Sequence, residues 1–232
     1  MSICAILSDT FGYKSTHFRK INMLTTSLAE QSPEDYSGEL LRLAQSTTTF
    51  TVPALFRAME TRDLAFPTNT WLGYSNDRTI SVGAQPVPAD WNDKTVFQHR
   101  LFNLNVQTEK VYILSHEVAH CVVFDSRANL LRDFGATLKE TRSYNPDIRY
   151  SATGSREFYK QQSPDKQAHE DLAELINMYL INPDYLKAFL RFLGEARFSA
   201  ERNRVGLTTL EDNVLRDQIY EVIHTGVQAE LR

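Results

Sequence analysis

Cysteine is almost missing from this chain. Cys4 and Cys121 are the only two in 232 residues, too few and too far apart for a disulfide framework, and they read as thiols of a reducing compartment. A long hydrophobic run is missing too. No stretch approaches the roughly 18 apolar residues that would span a bilayer, which predicts no membrane insertion. The opening "MSICAILSDTFGYK" has neither a basic n-region nor an adequate apolar h-region. The chain therefore reads as cytosolic at synthesis, with a size and a Ser/Thr-rich start that would also suit delivery into another cell. Excess positive charge is absent as well: the formal net charge is -4, and the 25 Lys and Arg are scattered. That excludes the electrostatic footprint of a nucleic-acid binder. Repeats, Gly/Ser linkers and low-complexity tracts are likewise absent, and nothing sets an oligomeric state.

What is present is ordinary globular material, 42% hydrophobic, with a change of texture near residue 68. Residues 1–68 read as an N-terminal, mainly helical segment, with helices at "SPEDYSGELLRLAQS" and "VPALFRAMETRD"; residues 69–232 read as the main domain. Within that domain, "NTWLGYSNDRTISVGA" places aromatic and β-branched runs around the turn signal "SND", which predicts a small hairpin or meander. From Gln107 to Phe124 the apolar spacing is helical, with Val111, Leu114, Val118 and Val122 at intervals of three and four. Further helices are expected in "SRANLLRDFGATLKETR", "KQAHEDLAELINMYL", "YLKAFLRFLGEARF" and "LEDNVLRDQIYEVIHTG". Pro183 either ends one of these or starts the next. The fold class expected is α+β, with a small antiparallel sheet and a mostly helical C-terminal part.

The helix at 107–124 carries "HEVAH", residues 116–120, where two imidazoles and a carboxylate are costly to bury without compensation. His116 and His120 are four residues apart, so both project from one helix face and can reach a single ion. Glu117 lies one step around the helix, beside such an ion, where it could take a proton from a water. A catalytic zinc needs a third protein ligand. "AHEDLAELIN" offers Glu170 and Glu174, again four apart on a helix, with small Ala173 permitting close helix approach. Glu170 reads as the third ligand. Glu174 reads as an outer carboxylate that accepts the second N–H of a zinc histidine and fixes its tautomer. His169 is the rival third ligand. Cys121 points sideways from His120 and reads as a small core residue rather than a ligand.

"HEVAH" followed after 49 residues by "EDLAE" resembles the gluzincin class of zinc metallopeptidases, and more closely the compact, lethal-factor-type catalytic domain, whose second helix reads E-x-x-A-E. The likeness covers roughly residues 70–182. It implies a zincin-like fold and one Zn2+ per chain held by His116, His120 and Glu170. It also implies Glu117 as general base and Glu174 as the outer carboxylate. Such enzymes commonly add a tyrosine or histidine that donates to the oxyanion; by the resemblance Tyr159 takes that place, with Tyr150, Tyr144 and His224 as alternatives. Thr79–Gly83 is the candidate edge strand for an extended substrate. The activity expected is a zinc-dependent endopeptidase acting on a protein or peptide. The competing readings are a zinc hydrolase of a non-peptide amide, and a binding protein whose metal site is structural or relic.

Overall fold

The polar "HEVAH" lies in a fully buried stretch of helix, residues 112–121, and the architecture follows from how that stretch is covered. A computed structural model of the protein describes residues 62–65, 67–85, 106–125, 129–151, 156–181 and 183–230. The helix expected at 32–46 and Cys4 lie outside these residues. So does "VPALFRAMETRD" except for Arg62 and Asp63, and Asp63 opens a strand.

Three short strands form one sheet: β1 (Asp63–Ala65), β2 (Gly73–Ser75) and β3 (Thr79–Val82), in the order β1-β3-β2. The "SND" signal makes the hairpin expected of it. Asn76 Oδ1 accepts from the Arg78 and Thr79 N–H groups at 2.7 and 2.8 Å, so β2 and β3 run antiparallel with Ser75 opposite Ile80. The sheet is nevertheless mixed, because β1 pairs parallel with β3. Strand β1 falls before residue 69 yet belongs to the same sheet. The expectation that Thr79–Gly83 is an edge is corrected by this order: β3 is the central strand, paired on both sides, with Ile80 and Val82 wholly buried. A second run of close contacts extends the hairpin, with Gly83 N–H to Leu72 O at 2.9 Å and Gln85 N–H to Thr70 O at 3.0 Å.

The rest is helical: α1 (Val106–Asp125), α2 (Asn129–Tyr144), α3 (Arg156–Lys160), α4 (Pro164–Ile181), α5 (Pro183–Gly194), α6 (Ser199–Val205) and α7 (Asn213–Glu230), with a 3₁₀ turn at Ala196–Phe198. Local chemistry sets the starts. Ser163 Oγ accepts from Lys166 N–H ahead of Pro164, and Asp212 Oδ1 accepts from Val214 N–H at 2.8 Å. Pro183 starts α5 rather than ending α4. Gly206, at φ 71°, closes α6 in the left-handed conformation that favours glycine.

Helix α1 packs on β2 and β3 on one side and on α4 on the other, and α4 is in turn covered by α2, α5 and α7. Residues 112–121 are consequently all buried, and so are 171–181. The one-faced stripe expected for α1 therefore understates this stretch, which is covered all round. Among the described residues no helix is long and apolar enough to cross a membrane.

Gly226 of α7 meets α2 where a Cβ would lie 2.5 Å from Leu131 Cγ. Gly226→Val is expected to lower stability by about 1–3 kcal/mol through overpacking. Gly226→Ala should cost less, because replacing a helical glycine regains up to about 1 kcal/mol. Urea denaturation of the three proteins measures this, and a Gly226→Val protein as stable as the parent would refute the close approach of α7 to α2.

Candidate metal centre

One turn of α1 separates His116 from His120, and one turn of α4 separates Glu170 from Glu174. Packing α1 on α4 sets these two pairs face to face. His116 Nε2 lies 3.0 Å from His120 Nε2 and 3.3 Å from Glu170 Oε2, and His120 Nε2 lies 3.5 Å from the same oxygen. These three atoms converge as a group that could hold a metal ion. Their spacings are close to the edge of about 3.3 Å that a tetrahedron built on bonds of roughly 2.0–2.1 Å requires. Both histidines are buried, whereas the Glu170 side chain is one-third exposed, so the cluster opens to solvent on the Glu170 side.

The tautomer supports the same use. His116 Nδ1 contacts Glu174 Oε2 at 2.9 Å. With Nδ1–H donating to that carboxylate, the Nε2 lone pair is turned toward His120 and Glu170. Two imidazole nitrogens and one carboxylate oxygen are a donor set that zinc accepts. Glu174 is wholly buried; it touches a cluster histidine and lies outside the cluster itself.

Burial raises the proton affinity of the Glu170 carboxyl, but hydrogen bonding and charge from His116 and His120 together outweigh it, and the net shift is well below the usual carboxylate range. Glu170 is thus held ionised, as a ligand must be. His169 is not part of the cluster. Its ring stacks on His120, with centroids 4.7 Å apart and planes 15° apart, and also meets Phe124. Burial, followed by the neighbouring His120, lowers its pKa to about 4, so it stacks as a neutral ring at neutral pH. Cys121 is buried in the core and contributes no atom to the cluster.

Glu117 is buried but stands outside the ligand group. Its side chain lies over Gly73 of β2: a Cβ on Gly73 would sit 2.3 Å from Glu117 Oε1 and 2.7 Å from its Cγ. No other residue leaves that space. Gly73 is not among the residues the motifs point to, although an isolated glycine inside a strand signals a close approach.

The tyrosine expected to act on substrate has other partners. Tyr159 is buried on α3, and its hydroxyl donates to Asp171 Oδ2 at 3.1 Å while Arg142 Nε donates to it at 3.2 Å. Burial, only partly offset by Arg142, pushes its pKa up. Of the alternatives, Tyr150 gives its backbone N–H to Asp171 and packs its ring under Arg142. Tyr144 is largely exposed at the end of α2. His224 pairs with Tyr179 through Nδ1 at 2.6 Å, near the far end of α4.

No protein-family model, curated protein or solved structure matches the chain; the geometry of the centre itself carries the functional reading.

Purified protein is expected to bind about one zinc per chain and to lose it on His116→Ala or His120→Ala. Glu170→Ala, which removes a cluster atom, should weaken binding more than Glu174→Ala, whose loss should be roughly 10- to 100-fold. Competition with a zinc chelator measures all four. A larger loss for Glu174→Ala would reverse the roles of the two glutamates.

Proposed function

We propose that this chain is a zinc-dependent peptidase of the gluzincin type, hydrolysing peptide bonds of a protein or peptide. The observation that carries this reading is the convergence of His116 Nε2, His120 Nε2 and Glu170 Oε2, with Glu117, next to His116 in the chain and packed over Gly73, left out of the set. A purely structural site has no use for a buried carboxylate between two of its ligands. Zinc bound there would supply Lewis acidity, polarising a scissile carbonyl and making a water a better nucleophile near neutral pH. Glu117 takes the proton of the attacking water on a carboxylate oxygen and returns it to the leaving nitrogen. Gly73 keeps that carboxylate in place by presenting no side chain to it. Glu174 holds His116 in the tautomer that ligation requires.

A peptide is favoured over a small amide by the edge of the sheet. In the β2–β3 ladder, Leu72 O accepts from Gly83 and Asn76 N–H donates to Thr79. The alternation of an antiparallel pair then turns the backbone N–H and C=O of Gly73 and Ser75 away from β3. Among the described residues no strand lies on that side of β2, and Gly73 adjoins Glu117. Strand β2, not β3, is therefore the edge beside Glu117 on which an extended chain could add by main-chain hydrogen bonds.

Glu117→Gln should retain zinc and fold while losing hydrolysis, because the amide is nearly isosteric but cannot act as the base. Gly73→Ala should also retain zinc and reduce turnover, since its methyl group displaces the Glu117 carboxylate. The measurement is a comparison of new protein N-termini in a cell lysate treated with parent or variant. Equal N-terminal profiles for parent and Glu117→Gln would sink the peptidase reading, and cleavage of small N-acyl amides alone would move the substrate class.

A further inference from the structure

Taking His116, His120 and Glu170 as the zinc site, we infer that Tyr112 is a positioning residue for it, acting through Glu174. Tyr112 lies one turn before His116 on α1, so residues 112, 116 and 120 share a face. Across from them on α4, Glu174 receives two donors from that one helix: the Tyr112 hydroxyl at Oε1 and His116 Nδ1 at Oε2.

The pairing has a mechanical consequence. Glu174 is wholly buried and Tyr112 nearly so, so bulk water does not hold the carboxylate. A carboxylate tied at one oxygen still swings about its terminal torsion, which is broad and has low barriers. Tied at both oxygens by donors from a single rigid helix, it is fixed in plane, and the His116 ring is fixed with it. The hydroxyl also satisfies an acceptor of a group that must stay acceptor-only to take the Nδ1 proton.

Core filling does not account for the hydroxyl. The Tyr112 ring packs against Tyr185 of α5, with centroids 6.4 Å apart, and phenylalanine would fill that space equally well. Burying the added oxygen costs free energy unless it is bonded, and Glu174 supplies the bond. The order along the ladder is Tyr112, Glu174, His116, zinc. Outer partners of ligand histidines typically carry 10- to 100-fold of metal affinity, and a residue one step further out belongs at the low end of that range.

The test is zinc affinity, by chelator competition, of the parent, Tyr112→Phe, Glu174→Ala and the double variant, with far-UV circular dichroism of each apo protein. Tyr112→Phe should weaken zinc binding on the order of 10-fold in a folded protein. In the Glu174→Ala background the same substitution should change affinity by less than about twofold, because residues acting through one contact are not additive. Parent-like affinity of Tyr112→Phe overturns the inference, and so does an equal loss in both backgrounds. Failure of the parent to bind zinc overturns the site reading itself, a distinct result. Should Tyr112→Phe not fold, 3-fluorotyrosine placed at position 112 keeps ring and hydroxyl. Its ¹⁹F resonance should then move on zinc addition, and a resonance that zinc leaves in place overturns the inference.

Discussion

Everything in this molecule depends on the polar seam between α1 and α4. Two imidazoles and a wholly buried carboxylate sit where two covered helices meet, and each such group would cost several kcal/mol if left without a partner. The seam supplies partners in register: Glu174 to Tyr112 and His116, Glu170 to His116 and His120. Sliding either helix by one turn would cost Glu174 either the Tyr112 hydroxyl or the His116 ring and would undo the convergence of His116, His120 and Glu170. The seam thus fixes the helix register as it builds the centre.

A second polar group fixes how α4 is rotated. Asp171, next to Glu170 and about 100° around the helix, is fully buried and pairs with the Arg142 guanidinium of α2. It also accepts from the Tyr159 hydroxyl and the Tyr150 backbone. Gly135 of α2 lets that helix come close to Leu172, where an added Cβ would be 3.3 Å away. Helix α4 is therefore gripped from two directions, by the His–Glu cluster on one face and by an Arg–Asp–Tyr group on another. This explains why Tyr159, given an oxyanion role by the family resemblance, spends its hydroxyl on holding the helix.

Much of this was legible because helices declare themselves locally. "HEVAH" and "EDLAE" place their groups by a fixed geometry of 3.6 residues per turn, so the spacing of these side chains is legible without any knowledge of the packing. The hairpin at Asn76 was legible for the same reason, since its side chain bonds its own backbone two residues on. Pairings between distant segments were not. Nothing in "DLA" at 63–65 announces a parallel partner at 79–81, so the mixed sheet and the central place of β3 were hidden. Tyr112 was equally silent, because a tyrosine among apolar residues looks like core until the carboxylate 62 positions away is known to face it.

The two histidines are held by different physics. His116 is oriented by a hydrogen bond from Nδ1, while buried His120 Nδ1 has no hydrogen-bond partner among the described residues. The His120 ring is instead flanked by His169 and Phe124, both within stacking distance. His169 can take that place because burial keeps it neutral, sparing the cluster a second like charge. Phe124 is more than half exposed. The interior side of the centre is thus set by directional bonds to rigid helices, and the rim side by ring packing, which tolerates small rotations. That asymmetry suits a cluster whose most exposed member is Glu170, because a group arriving from solvent meets the side where the back of the His120 ring is held by neighbouring rings.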